Sequence, residues 1–314
     1  MLMPRVTVGL SMLVDIDLAP IVIFVYNRLW HTQKTIEALQ KNDLALKSSL
    51  VVYCDAAKSA ADQVEVEKVR KYIDSVEGFN KVTIIKRDKN WGLADSIIDG
   101  VNCIVNRYGK VIVLEDDLVT SPYFLRFMND ALEYYKNEPK VMHISGWNYP
   151  MNSNRLGSET VFFRGTSCWG WATWSRAWQF FEKDARKLSE TFTKKDIYEF
   201  DYDGTARMWA QVKGNISGRM NTWAVFWYAS VFRQKGLCLH PVTSMVENIG
   251  HDGTGVNCDA LNIYTSKVTN RPITTFTDDL VEDSKTVSEI KSFLKKKKKY
   301  LFRRIVNRLV RLVK

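Results

Sequence analysis

The chain has 314 residues, 46% of them hydrophobic and 12% aromatic, which is enough apolar content to fill a globular core and argues against disorder. Its formal charge of +10 is uneven: residues 291–314 hold eleven of the 45 Lys and Arg and no acid, leaving 34 basic against 35 acidic residues in the body, so no nucleic-acid partner is expected. Five scattered cysteines (Cys54, Cys103, Cys168, Cys238, Cys258) without a C-x-x-C pair argue against a disulfide framework or zinc knuckle and for a reducing cytoplasm.

Residues 1–19 read as a leader. Asp15 and Asp17 interrupt an apolar stretch too short to span a bilayer, so neither a signal peptide nor a transmembrane helix is expected, and Met12 is an alternative start. From Pro20 the pattern alternates. PIVIFVYNR (Pro20–Arg28) is a buried strand and HTQKTIEALQKN has helical spacing. LVVYCDAA is a second strand, followed by an amphipathic helix from Asp62 to Val76; KVTIIKRD is a third strand. GLADSIIDGVNCIVNRYG is a helix closed by Gly109, and KVIVLEDD a fourth strand. Strands alternating with helices at this spacing predict parallel strands joined by crossover helices, an α/β fold with a Rossmann-like, mostly parallel sheet.

In such sheets ligands bind beyond the carboxyl ends of the strands, where this chain gathers Asn27 and Arg28, Asp55, Arg87 to Asn90, and Glu115 to Asp117. No G-x-G-x-x-G or P-loop follows the first strand. The run VIVLEDDLVTSP (Val111–Pro122) ends a buried strand in three consecutive carboxylates, which need a positive partner. Hard oxygen ligands on a strand end suit Mg²⁺ or Mn²⁺ shared with substrate phosphates. The plainer reading is a solvated turn capping a helix that starts near Thr120-Ser121-Pro122.

The ordered set FVYNR, VVYCDAA, RDKNWGLADSI, VIVLEDDLVTSPYFLRFM, HISGWN and FFRGTSCWGWATWSRAW resembles the GT-A glycosyltransferases of the N-acetylglucosaminyltransferase I type and their bacterial polysaccharide-synthesis relatives, over about Pro20 to Cys258. The resemblance implies a metal-dependent transfer, inverting at the anomeric carbon, from a nucleotide-sugar donor, by default UDP-N-acetylglucosamine, to a glycan or lipid-linked acceptor. It implies a GT-A domain over 20–287, with a nucleotide-sugar half (20–120) and an acceptor half (121–287). Asp117 matches the direct metal ligand and Asp116 a position near the donor ribose or sugar; Glu115 completes the acidic motif. Arg28 and Asp55 match positions that hold the donor nucleotide, and Asn90 and Gly92 a turn lining its pocket. Asn27, Arg87 and His251 are further donor-site candidates, His251 within the glycine-rich NIGHDGTGVNC loop.

The catalytic base stays open. The family's aspartate two residues before a tryptophan corresponds here to Asn221, which cannot take a proton; Asp203 is the first alternative, with Asp201, Glu247 and Asp252 behind it. Ten tryptophans mostly suit a core, with Trp169 and Trp171 as candidates to pack against an acceptor sugar. Beyond residue 287 the chain becomes a basic amphipathic tail: Lys295–Lys299, then LFRRIVNRLVRLVK with Leu301, Ile305, Leu309 and Leu312 on one helical face. Residues 291–314 therefore suit an anionic membrane surface, and the expected location is peripheral, on the cytoplasmic face of a bacterial cell membrane. The competing reading is a non-catalytic, membrane-associated protein that binds a nucleotide sugar or carbohydrate.

Overall fold

The computed structural model describes residues 17–150, 158–253, 264 and 267–297. Its eight-stranded sheet comprises β1 (Ile21–Val25), β2 (Ser49–Cys54), β3 (Lys81–Lys86), β4 (Lys110–Glu115), β6 (Val141–Ser145), β7 (Thr160–Phe163), β8 (Trp171–Trp174) and β9 (Leu237–Pro241), in the order β3-β2-β1-β4-β8-β6-β9-β7. The β1–β2, β2–β3, β1–β4 and β6–β9 pairs are parallel, while β8 runs antiparallel between β4 and β6 and β7 lies antiparallel at the edge. This is the mostly parallel α/β sheet expected from the alternating pattern. A separate ribbon pairs β5 (Leu118–Thr120) with β10 (Val246–Asn248).

Strand β1 is buried along its whole length because both faces of the sheet are covered. On one face Ile21, Ile23, Leu50, Val52, Ile112 and Leu114 meet residues of α1 (Leu29–Gln40), α2 (Gln63–Ile73) and α4 (Phe124–Tyr134). The alternate residues Val22, Phe24, Val51, Tyr53, Val111 and Val113 face α3 (Leu93–Tyr108) and a tryptophan cluster of Trp171, Trp178, Trp223 and Trp227. Each such side chain contributes roughly 1.5–3 kcal/mol by leaving water, so a charge introduced at Val113 would break both the strand and the site at its end. Helix α3 stops at Gly109, whose φ of 75° and N–H bond to the Val105 carbonyl form a left-handed cap.

Short helices α5 (Ser175–Trp178), α6 (Ala185–Thr191), α7 (Lys194–Phe200) and α8 (Met208–Ile216) precede α9 (Ala224–Arg233). Helices α6 to α9 share a third core with β7 and with α10 (residues 284–297), which buries Val287, Ile290 and Leu294 beside Phe200, Trp209 and Tyr228, whereas α5 packs into the tryptophan cluster. A boundary between 287 and 288 thus falls inside α10. No helix among the described residues is long and apolar enough to cross a membrane. The leader up to residue 16, Cys258 and the amphipathic stretch 301–314 lie outside the described residues.

Candidate functional site

Strands β1 and β4 are parallel neighbours, so the residues that follow them emerge together. Arg28 Nη2 donates to Asp116 Oδ1 and, at 2.8 Å, to Asp117 Oδ2. The positive partner of the acidic run is therefore, in this structure, a guanidinium. Burial opposes the Arg28 charge, but Asp116 and Asp117 outweigh it and hold the group above its ordinary value. Burial also raises the Asp116 carboxyl to about 6, with Arg28 opposing, and raises Glu115 with the help of the two neighbouring aspartates.

The turn itself is held from α1. Thr35 Oγ1 donates to the Asp116 carbonyl at 2.8 Å and accepts from the Leu118 N–H at 3.0 Å. From the other side the β5–β10 ribbon brings the NIGHDG loop onto it, with the Ile249 N–H bonded to the Asp117 carbonyl at 2.9 Å. Gly250 is required there: a Cβ would lie 2.2 Å from Asp117 Oδ2 and 3.1 Å from Arg28 Nη1. His31 Nε2 stands 3.1 Å from Asp252 Oδ2, linking α1 to the same loop. His31 and Thr35 were not singled out in the sequence, although two inward polar residues four apart on one helix face were visible there.

Asp55, at the end of β2, braces a neighbouring turn. Its Oδ1 accepts from the N–H groups of Ala56 and Trp91, each at 2.9 Å, and its Oδ2 from the Gly92 N–H at 2.8 Å and Asn90 Nδ2 at 3.1 Å. Asn90 also bonds the Ala56 carbonyl at 2.7 Å. Arg87 ion-pairs with Asp99 and stacks over Trp91, 3.9 Å from the ring centroid, and over Tyr53 at 5.0 Å. Asn27 lies 3.5 Å from Asp62 on the outer side of this floor. Arg28, Asp55, Asn90, Gly92 and Asp116–Asp117 thus share one end of the sheet.

The base candidates are dispersed. Asp201 Oδ1 accepts from the Trp209 N–H at 2.8 Å and so caps α8, while Asp203 ion-pairs with Lys291 of α10. Asn221 accepts from Lys183 at 2.6 Å, a lysine that also reaches Asp95 at 3.2 Å. Glu247 sits within β10 and Asp252 on the loop beyond it, four-tenths of its side chain exposed.

Trp171 is fully buried, stacked between His143 and Trp223, and is core rather than an acceptor surface. Trp169 is half-buried and belongs to a wall of rings: it lies 4.8 Å from Trp147, 5.5 Å from His251 and 5.9 Å from Tyr264. Tyr149 and Phe293 of α10 extend the wall, 5.6 Å apart, with the Lys297 ammonium 4.4 Å over the Tyr264 ring. His251 thus touches the wall while Gly250 beside it touches Asp117.

Asp117 Oδ1 is buried with no hydrogen-bond partner among the described residues, while Oδ2 accepts from Arg28. No group of three or more His, Cys, Asp or Glu that could hold a metal occurs among them. One or two carboxylates suit Mg²⁺ or Mn²⁺, which keep water and substrate phosphate as their remaining ligands. The residues present fit such an ion.

No family model and no curated protein matches the chain. Among solved structures it is similar to the mannosyltransferase PcManGT from Pyrobaculum calidifontis in complex with GDP-Man and Mn²⁺, with 12% identity over 70% of this chain and 72% of that one and a TM-score of 0.38. It is also similar to residues 1–349 of S. aureus TarS, with 11% identity over 73% of this chain and 59% of that one and a TM-score of 0.41. Against another S. aureus TarS structure the likeness covers 49% of this chain and 28% of that one, with 15% identity and a TM-score of 0.33. At these values the likenesses carry no weight for the site, which is read from its own geometry.

Proposed function

We propose that this chain is a metal-dependent glycosyltransferase of the N-acetylglucosaminyltransferase I type, moving a sugar from a nucleotide-diphosphate donor to a glycan or lipid-linked acceptor with inversion. The observation that carries the reading is the Arg28–Asp116–Asp117 cluster at the adjoining ends of β1 and β4, with Asp117 Oδ1 buried and unmatched. UDP-N-acetylglucosamine is the default donor and surface-polysaccharide synthesis the default setting.

Asp117, with Asp116, would hold Mn²⁺ or Mg²⁺, which when bound stabilises the charge developing on the leaving diphosphate. Arg28 adds a fixed positive charge beside that group. The Asp55-braced turn at Asn90–Gly92 forms the nucleoside side of the floor, and the wall of Trp169, Tyr149, Tyr264 and Phe293 receives the acceptor ring. Asp252 is the preferred base because it is partly exposed and stands on the loop that closes on Asp117, 3.1 Å from His31 Nε2; Asp203 is ion-paired with Lys291 and Asp201 accepts from the Trp209 N–H. Helix α10 carries the wall and leads into the basic run Lys295–Lys299, an arrangement that supports peripheral attachment to the cytoplasmic face of a bacterial membrane.

The test is release of nucleoside diphosphate from a panel of nucleotide sugars, with Mn²⁺, with EDTA and in Asp117→Ala. Metal-dependent release from one donor, lost in the variant, is the expected result. A folded protein that binds a donor yet never turns it over, with any acceptor tried, would instead mark a binding module.

A further inference from the structure

The ion pair that neutralises the acidic turn is lopsided. Arg28 meets both aspartates through a single nitrogen, Nη2, while Nη1 is buried without an acceptor and Asp117 Oδ1 is buried without a donor among the described residues. A guanidinium settled on a carboxylate presents two nitrogens to two oxygens in parallel. Here one donor of the arginine and one acceptor of Asp117 go unused, and buried polar groups left unmatched cost stability.

The surroundings hold the carboxylates more firmly than the arginine. Thr35 pins the turn at the Asp116 carbonyl and Leu118 N–H, and the Gly250 backbone closes in on Asp117 with no room for a side chain. The aspartate side chains keep 8% and 6% of their exposure and that of Arg28 keeps 18%, so the arginine is the less enclosed partner even though its Nη1 is buried. A cation arriving at Asp117 would find one oxygen unpaired and the other under Arg28 Nη2.

We propose that Arg28 is an internal stand-in for the divalent cation, and that loading the site is an exchange in which the cation takes over the Asp117 oxygens while the guanidinium swings to the donor diphosphate. The inference rests on the metal-dependent reading of the site and adds an order to it. A cation alone must displace Arg28 and so binds weakly; a diphosphate gives the displaced guanidinium new acceptors, so cation and diphosphate each tighten the other by the same factor. A permanent structural arginine makes the opposite demand: removing it disorders the carboxylates and weakens the metal.

Binding of Mn²⁺ alone, followed by electron paramagnetic resonance, separates the two in wild type, Arg28→Gln, Arg28→Lys and Arg28→Gln/Asp117→Asn, each first checked for a cooperative melt. The exchange predicts that Arg28→Gln binds Mn²⁺ about tenfold tighter than wild type, within the range of ordinary coupling between sites. Arg28→Lys falls between them, and the double variant loses the metal. Inorganic pyrophosphate is expected to tighten Mn²⁺ on wild type more than on Arg28→Gln. Equal or weaker Mn²⁺ binding by Arg28→Gln, with the metal still lost in the double variant, overturns the exchange and leaves the metal site standing. No Mn²⁺ on any folded version overturns the metal-dependent reading itself. If Arg28→Gln fails to fold, Arg28→Lys decides, because it keeps the charge: binding no tighter than wild type overturns the exchange.

Discussion

The ends of β1, β2 and β4 and the neighbouring face of the second half are built in different ways. At the strand ends, charged groups are met at short range: Asp55 takes four donors, and Arg28 bridges Asp116 and Asp117. Across from them the ring wall draws on residues as far apart in the chain as Trp147 and Phe293, with Lys297 as its charged tip. A polar floor can be built into the turns that end a parallel sheet, because those turns meet wherever the strands pair. A wall of rings has to be assembled from several distant segments, and Tyr149 and Phe293 take their places in it from the packing of the third core.

If the two regions divide the work as donor floor and acceptor wall, damage to one should leave the other's binding intact. The largest effect is expected from Asp117→Asn, which should cut transfer by about a hundredfold to a thousandfold, the scale of losing one electrostatic contact to a transition state, without lowering the melting temperature. Steady-state rates beside a thermal melt check both halves of that statement.

Acid should find the second half first. His240 is buried between the carbonyls of Trp147 and Gly165, and burial lowers its pKa to about 4 even though both carbonyls favour the charged form. Its folded pKa lies below the unfolded value of about 6.5, so the native state binds fewer protons there. The stability it contributes is complete above about pH 6.5 and falls by about 3 kcal/mol as pH drops toward 4. Urea unfolding at pH 7.5 and 4.5, in wild type and His240→Gln, should show a smaller pH difference in the variant.

Asp55→Ala leaves the N–H groups of Trp91 and Gly92 unmatched and should cost about 2 kcal/mol of stability, together with donor affinity but not acceptor affinity. Trp169→Ala should do the reverse. A loss of about 1–1.5 kcal/mol of ring packing raises the acceptor KM about tenfold and leaves calorimetric donor binding unchanged. A Trp169 variant that lost the donor as well would collapse the distinction between floor and wall.

The first half was the more legible. Short apolar runs and helical spacing located β1 to β4 and α1 to α3, and Gly109 closes α3 as its position suggested. Strand ends follow from strands, so the floor was visible before any contact was known. What periodicity cannot convey is pairing across distance. Arg28 meets Asp116 and Asp117 from 88 and 89 residues away, and that contact, not the motif alone, supplies the positive charge. Asp203 reaches Lys291 on a helix that sequence pattern assigned mostly to a detached tail, and Asp201 caps a helix eight residues on. Trp169 and Trp171 are two apart on a strand approach and point into different environments, a distinction local composition does not carry.

The most direct test of the account is calorimetric titration of a nucleotide-sugar panel into the protein with Mn²⁺, with EDTA and in Asp117→Ala. One donor should bind in Mn²⁺, and the heat should disappear both in EDTA and in the folded variant. Binding that survives EDTA and Asp117→Ala unchanged, or no binding of any donor by the folded wild type in Mn²⁺, would contradict it.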